Sequence, residues 1–212
     1  VSHEIKTPLS VINGYADLLQ EELPPEEQRE YAAAISRESQ RLLHLSQNML
    51  RISQLDNARI NSNQTRFRLD EQLRQAVLFM EPKWTAKGID LDVDLPVCTC
   101  LGNEELLVQV WINLLDNAVK FSPEGGRVRI RLVDEAGPQV TIEDEGPGMD
   151  AETRERIYEQ FYQGDHSRIK EGAGLGMSIV RRIVDLHKGT IDIQSAPGEG
   201  TRITVGFPKR KY

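Results

Sequence analysis

The chain has 212 residues, 39% of them hydrophobic and 28% charged, with a formal net charge of -7. That length is enough for one or two domains with proper cores, and the composition is that of an ordinary globular protein. The acidic balance argues against a broad nucleic-acid surface, and the basic run KRKY at the end reads as a solvated tail. No apolar run is long enough to span a bilayer and no signal-peptide pattern is present, so no membrane contact is expected of this segment. Cys98 and Cys100 stand as CTC, too few for a disulfide framework and without metal-ligand spacing, which points to a reducing compartment.

The chain begins abruptly inside a patterned segment and is expected to be a piece of something longer. Ile5, Leu9, Ile12, Ala16, Leu19 and Leu23 recur at threes and fours, one stripe of a helix that Pro24 and Pro25 end. A second helix opens at PPEEQ, with Glu26 and Glu27 near its positive end, and buries Tyr31, Ile35, Leu42, Leu45, Met49, Ile52 and Leu55. Residues 1–56 therefore read as a helical hairpin, and two helices alone cannot bury such stripes; a homodimer completing a four-helix bundle is the economical solution. NARINSNQT at 57–65 is polar and aperiodic, a linker. From 66 onward strands and helices alternate: a short strand at 66–69, a helix at 70–84 with Leu73, Val77, Met80 and Trp84 inward, a strand at 89–95 and a helix at 103–121. A strand pair follows at 127–133 and 139–144, then a short helix near 151–160, a helix at 175–187 and two closing strands around APGEG. Consecutive strands joined by hairpins, with helices set apart, suggest a mixed α/β sandwich over 66–212.

Four stretches of that second part carry chemical character. In NLLDNAVKF, Asn113 and Asn117 lie on one helix face with Lys120 a turn further along; amide oxygens are hard ligands for Mg2+ and an ammonium suits phosphates, although a surface Asn pair gives the same pattern. In DEGPG, Asp144 ends an apolar strand where its carboxylate can accept from an exocyclic amine such as adenine's, and Gly146 and Gly148 permit a tight turn; an isolated glycine turn looks alike. In EGAGLGMSIV, Gly172, Gly174 and Gly176 lead into a helix, an anion cradle or a flexible surface loop, without the βαβ unit of a dinucleotide fingerprint or the GK[ST] of a P-loop. GEGT at 198–201 alone is a hairpin turn.

In this order and spacing the four motifs resemble the GHKL nucleotide-binding fold of histidine kinases, type II topoisomerases, mismatch-repair ATPases and a class of heat-shock chaperones. The opening SHEIKTPL is similar to the H box of a sensor histidine kinase, on the first helix of the dimerisation and phosphotransfer hairpin. The resemblance covers nearly the whole chain and implies a helical hairpin, a four-helix bundle as a homodimer, followed by a GHKL-type sandwich with a mixed sheet. It implies ATP-dependent phosphorylation of His3 and transfer to an aspartate of a response-regulator receiver domain, with ATP and Mg2+ as cofactors. It also implies a cytoplasmic segment of a parent anchored in the bacterial cell membrane.

By the same resemblance Glu4 is the acidic partner that takes the imidazole proton, and Thr7, in the HExxT pattern, is tied to a phosphatase activity toward the receiver. Pro8 removes the donor for the carbonyl of residue 4 and is expected to loosen the turn carrying His3 and Glu4. Asn117 matches the magnesium ligand and Asn113 its neighbour, Lys120 approaches the phosphates and Phe121 lies near the base. Asp144 reads the adenine amine beside Gly146 and Gly148, Phe161 and Tyr162 border the lid, and Gly172, Gly174 and Gly176 pack its backbone on the phosphates, with Leu175 and Thr201 completing the pocket. The family's arginine after the aromatic box is Gln163 here, so Arg168 or Lys170 would stand in for it; Asn103 replaces a common aspartate, a change expected to matter for capping. His44 and His166 read as a bundle and a lid residue, and His187 as one that complements a helix dipole. The rivals are an ATP-driven conformational switch, a scaffold with a decayed site, and a protein acting mainly as a phosphatase.

Overall fold

In the computed structural model residues 2–57, 64–164 and 174–209 are described, with backbone alone for 2–4, 51 and 55–57. Helix α1 (Ser2–Leu18) and helix α2 (Pro25–Asn57) pack along each other, with the Tyr15 and Tyr31 rings 5.1 Å apart near the connection. α1 runs unbroken through Pro8. It ends at Leu18, short of the Leu23 expected from the apolar stripe; Asp17, Glu21 and Glu22 crowd carboxylates at its negative end and no basic residue stands in the last turn to offset them. Of the apolar residues along the hairpin, Ala34 and Leu45 are buried, while Ile5, Leu9, Leu18, Leu43 and Leu50 stay exposed in the single chain.

The second body begins with β1 (Thr65–Arg68), α3 (Leu69–Phe79) and α4 (Glu81–Ala86). The helix expected at 70–84 is thus two, broken at Met80, because Pro82 lacks the N–H that would continue the ladder and sits instead in the first turn of α4. Next come β2 (Asp90–Asp94) and a strand the periodicity did not reveal, β3 (Thr99–Gly102), which pairs antiparallel with β1. Four residues give no readable alternation; the pairing exists because β1 is there to receive it. Then follow α5 (Glu104–Phe121), β4 (Arg127–Asp134), β5 (Pro138–Asp144), α6 (Ala151–Arg156), α7 (Gly176–Leu186), β6 (Thr190–Ser195) and β7 (Thr201–Gly206).

The main sheet has the order β2-β4-β5-β7-β6, parallel at β2–β4 and antiparallel elsewhere, a mixed sheet as expected. One face carries Val128, Ile130, Leu132, Val140, Ile142, Ile203 and Val205 inward against α5 and α7, with α3 packed beside α5. Trp111 of α5 is fully buried; its indole N–H donates to Gln72 Oε1 at 2.7 Å, and Gln72 in turn donates to the Glu104 carbonyl, which ties α3 to the start of α5. The opposite face is a charge ladder: Arg127 pairs with Asp90, Arg131 with Asp92, and Glu143 lies between Arg129 and Arg202, so opposite signs alternate across four strands. The C-terminal half of α2 lies against α7, with Leu42, Met49 and Ile52 packed on the same core cluster.

Asp70 at the start of α3 is fully buried, and it is held ionised. Arg68 donates twice to it, at 2.8 and 2.5 Å, Arg74 once at 2.8 Å, and the Cys98 N–H once at 3.1 Å, so the Arg68 hydrogen bonds first, and the Cys98 and Arg74 bonds after them, hold its carboxyl well below the usual carboxylate range against the cost of burial. Cys98 itself is buried and its thiol is pushed up to about 11, mainly by that burial, so it stays protonated and unreactive. Replacing Asp70 by Ala leaves the buried Cys98 N–H without its acceptor and removes the anchor shared by Arg68 and Arg74, which keep Glu71 and the Leu95 carbonyl as partners. It is expected to cost about 2 kcal/mol in urea denaturation of the chain. Because the folded carboxyl titrates lower than the unfolded one, this contribution is present above about pH 4 and fades as pH falls below it, whereas in the Asp70→Ala variant stability changes less over that range.

Candidate active site

The face of α5 opposite Trp111 sets one side of the site. Asn113, Asn117, Lys120 and Phe121 are each half-buried there, and Asn113 to Phe121 covers about 12 Å along the axis at roughly 1.5 Å per residue. Asn103 caps the helix, its side chain accepting from the Leu106 N–H at 3.0 Å, in agreement with a capping role. The backbone N–H of Asn103 is itself fixed: it donates to Nε2 of His187 at 3.0 Å. His187, 98% buried (2% exposed), directs its Nδ1 at the Ile183 carbonyl at 2.7 Å and sets its ring against Phe207. An Nε2 that accepts cannot carry a proton, so the ring is neutral with the proton on Nδ1. The reading of His187 as a dipole-complementing residue is therefore corrected: it is a core histidine linking the end of α7 to the start of α5.

Two glycine approaches close the site around α5. A Cβ on Gly176, the first residue of α7, would meet Asn113 Oδ1 at 2.9 Å, so α7 starts against the amide side of α5 because that position is glycine. Gly174, with φ +66, accepts from the Phe161 N–H at 2.9 Å and lies against the Tyr162 backbone. Phe161 packs on the core, and Arg156 stacks over the Tyr162 ring at 4.2 Å. Leu175, at the N-cap of α7, is buried and supplies no side-chain cap, and the first turn holds no acidic residue. Among the described residues the first turn of α7 thus carries no carboxylate at its positive end, the electrostatic setting an anion prefers.

At the other end of α5, Gly146 lies on the Phe121 carbonyl and donates its N–H to Asp144 Oδ1 at 2.8 Å. Asp144 is the last residue of β5 and stands in register with Thr201, the first of β7, which in turn pairs with Ser195, the last of β6. Directly opposed residues share a face, so Asp144, Thr201 and Ser195 form a polar row across three strands, at the end of the apolar columns of the core. Gly148 (φ +69) and Gly200 (φ +75) clasp the loop after β5 to the β6–β7 hairpin: a side chain on the first would strike the Ala196 carbonyl, and one on the second the Asp144 carbonyl. The Gly198 N–H donates to the Pro147 carbonyl at 2.7 Å in the same clasp. GEGT is thus more than a turn, with Gly200 a site-shaping residue within it, and Ser195 is a site-shaping residue that sequence reasoning passed over.

Thr7 is exposed on α1, and the backbones of His3 and Glu4 lie in the first turn of that helix, their side chains outside the described residues. Arg168, Lys170, Gly172 and His166 also lie outside them, whereas His44 is exposed on α2. Lys120 Nζ sits 4.8 Å from the centre of the Phe121 ring. Among the described residues no cluster of three His, Cys, Asp or Glu side chains could hold a metal ion, so a cation here would depend on amide and ligand oxygens.

A site with a strand-end carboxylate at one end, a half-buried amide face between, and a bare helix start at the other has the polarity of a purine nucleotide. Residues 102–211 match the histidine kinase-, DNA gyrase B- and HSP90-like ATPases, and residues 1–58 match the His Kinase A (phospho-acceptor) domain. The chain belongs to the sensor histidine kinases of this ATPase family. It is 34% identical over 210 residues to the heme sensor protein HssS of Staphylococcus saprophyticus, across 99% of this chain and 45% of that one. Full-length ShkA in complex with AMPPNP superposes with a TM-score of 0.73 at 32% identity, over 98% of this chain and 44% of that chain. ThkA in complex with the response regulator protein TrrA gives a TM-score of 0.79 at 26% identity, over 99% of this chain and 60% of that chain. The chain spans less than half the length of the first curated relatives it matches. The expected hairpin followed by an α/β sandwich is the fold of these kinases.

Substituting Gly200 by Ala forces a Cβ into the Asp144 carbonyl at a backbone angle that L-residues avoid. The variant is expected to lose about 1–3 kcal/mol of stability and to bind a fluorescent ATP analogue at least about tenfold more weakly, read by thermal unfolding and by titration.

Proposed function

We propose that the chain is an ATP-dependent protein-histidine kinase that phosphorylates His3 and passes the phosphoryl group to an aspartate of a response-regulator receiver domain. The observation that carries the reading is that a phospho-acceptor domain match and an ATPase match follow each other on one chain. In this reading residues 1–56 form the dimerisation and phosphotransfer hairpin, 57–65 the linker and 66–212 the catalytic domain. The exposed Ile5, Leu9, Leu18, Leu43 and Leu50 favour a homodimeric four-helix bundle that covers them.

Asp144 and Thr201 would receive the adenine edge, with Phe121, Gly146 and Gly148 closing around the base. The phosphates would run along Asn113, Asn117 and Lys120 toward Gly174, Leu175 and Gly176, with Phe161, Tyr162, Gly172 and Arg168 or Lys170 on the lid side. The amide oxygen of Asn117 is the hard donor that suits Mg2+, which neutralises phosphate charge when bound. A nitrogen of the neutral His3 imidazole attacks the γ-phosphorus, the bond to the β–γ bridging oxygen breaks, ADP departs, and the ring proton passes to Glu4. Acceleration comes from positioning and from donors aimed at the transferring group. Thr7, a turn beyond His3, would position water for removal of phosphate from the receiver. The parent protein is proposed to be membrane-anchored with this segment in the cytoplasm; no helix among the described residues is long and apolar enough to cross a membrane.

Incubation with γ-labelled ATP is expected to leave acid-labile, alkali-stable label on the wild-type chain and none on His3→Gln; label persisting on that variant would overturn the assignment. Thr7→Ala is expected to keep His3 labelling within about twofold while slowing dephosphorylation of a labelled receiver at least about tenfold, followed by loss of label from the receiver band.

A further inference from the structure

Ser195 has one hydroxyl proton and three polar neighbours. Its Oγ lies 2.7 Å from the Gly200 carbonyl, 2.9 Å from the Met149 nitrogen and 3.0 Å from Thr201 Oγ1. The roles follow from chemistry. A carbonyl only accepts, so the Ser195 proton goes to Gly200; a backbone N–H only donates, so Met149 fills one lone pair of Oγ. The remaining contact is between two hydroxyls, and with its own proton already used Ser195 can only accept there. The Thr201 hydroxyl must therefore donate to Ser195, which leaves Thr201 Oγ1 with lone pairs and no proton for anything that docks beside it.

Thr201 stands directly opposite Asp144 on β5, so their side chains are neighbours on one face, about 5 Å apart at Cβ. The strand-end row thus presents two acceptors side by side, a carboxylate and a proton-depleted hydroxyl. A 6-amino purine offers two N–H donors to that pair. A 6-oxo purine offers one ring N–H and one carbonyl, and the carbonyl faces an oxygen that has no proton to give. We infer that Ser195 is a specificity-determining residue: by consuming the Thr201 proton it selects an amino over a carbonyl group at purine position 6. The inference rests on the reading of Asp144 and Thr201 as the base-facing residues, and it adds a residue that does not itself touch the nucleotide. Removing Ser195 frees the Thr201 hydroxyl to turn and donate, which makes the row acceptor-plus-donor, the complement of a 6-oxo purine.

The test is competition of ATP and ITP against a fluorescent nucleotide on the full chain, with the ratio of the two affinities as readout. A loosened fold weakens both nucleotides together; a change in hydroxyl direction moves the ratio. Ser195→Ala is expected to lower the ATP-to-ITP preference about tenfold, the worth of one exchanged hydrogen bond, and Ser195→Thr, which keeps a hydroxyl, to restore it. Thr201→Val, in a chain that retains Ser195, is expected to lower the same ratio by weakening ATP and relieving the clash with ITP. A Ser195→Ala chain that binds ATP with a ratio within twofold of wild type overturns the inference. If Ser195→Ala does not fold, Thr201→Val decides, and an unchanged ratio there overturns it equally. Asp144→Asn separates the two levels: if that variant binds ATP as tightly as wild type, the base-facing reading fails; if it loses ATP while the serine ratio stays unmoved, only the role of Ser195 fails.

Discussion

A helix can serve as the floor of a binding site only if one side is locked while the other keeps its polar groups accessible, and α5 meets that constraint. Leu107, Val110, Trp111, Leu114, Leu115, Ala118 and Val119 are buried on one side, and the side bearing Asn113, Asn117 and Lys120 is half-buried. Fully burying side chains of that size is worth about 1.5–3 kcal/mol each relative to exposure. The large apolar side therefore fixes the rotation of the helix, and the amides have no vote in it. His187 and Asn103 then fix its beginning, through a hydrogen bond that joins the far end of α7 to the turn before α5. Gly102 belongs to the same joint, because a Cβ there would meet the His187 ring at 2.9 Å.

The strand-end row is held by a different means. Asp144, Thr201 and Ser195 sit where the apolar columns of β5, β7 and β6 run out, so the core positions their backbones without burying their polar atoms in hydrocarbon. The clasp of Gly148 and Gly200 brings two loops to backbone contact, and it works only with hydrogen in place of a side chain, at angles that favour glycine. The charge ladder on the opposite face contributes little energy per pair at such exposure. It does set opposite charges in register across four strands, and like charges facing each other would penalise any slipped pairing.

The proposed histidine phosphorylation requires a bound nucleotide and an acceptor on a helix, and the two bodies that would supply them differ in how their interiors are filled. The ATPase body has the larger interior: its buried core runs from Phe67 to Phe207 and also takes in Leu45 of α2. The helical hairpin is thinner, and Ile5, Leu9, Leu18, Leu43 and Leu50 stay exposed on it in the single chain. Leu42, Met49 and Ile52, partly buried, join the buried Leu45 in an apolar contact of α2 with that core.

Much of this architecture could be read along the chain. The long periodic helices, the strand pair 127–144 and the closing hairpin announce themselves because each buries a side, and burial imprints a period of 3.6 or 2 on the residues. Asn113 and Asn117 four apart, Asp144 at a strand end, and glycines ahead of α7 were visible for a related reason: helix and strand geometry ties spacing to side. What stayed invisible depends on partners far away in the chain. β3 is a strand only because β1 lies next to it, whereas the break of the expected 70–84 helix at Met80 is local, set by Pro82 in the sequence itself. His187 is a core histidine only because residues 84 positions earlier fold against it. Ser195, in TIDIQS, looks like any polar strand end until Met149, Gly200 and Thr201 surround it. Periodicity along a chain records which side of an element faces the core; which atom meets which across the core is settled by packing in three dimensions, and there a single hydroxyl proton has only one place to go.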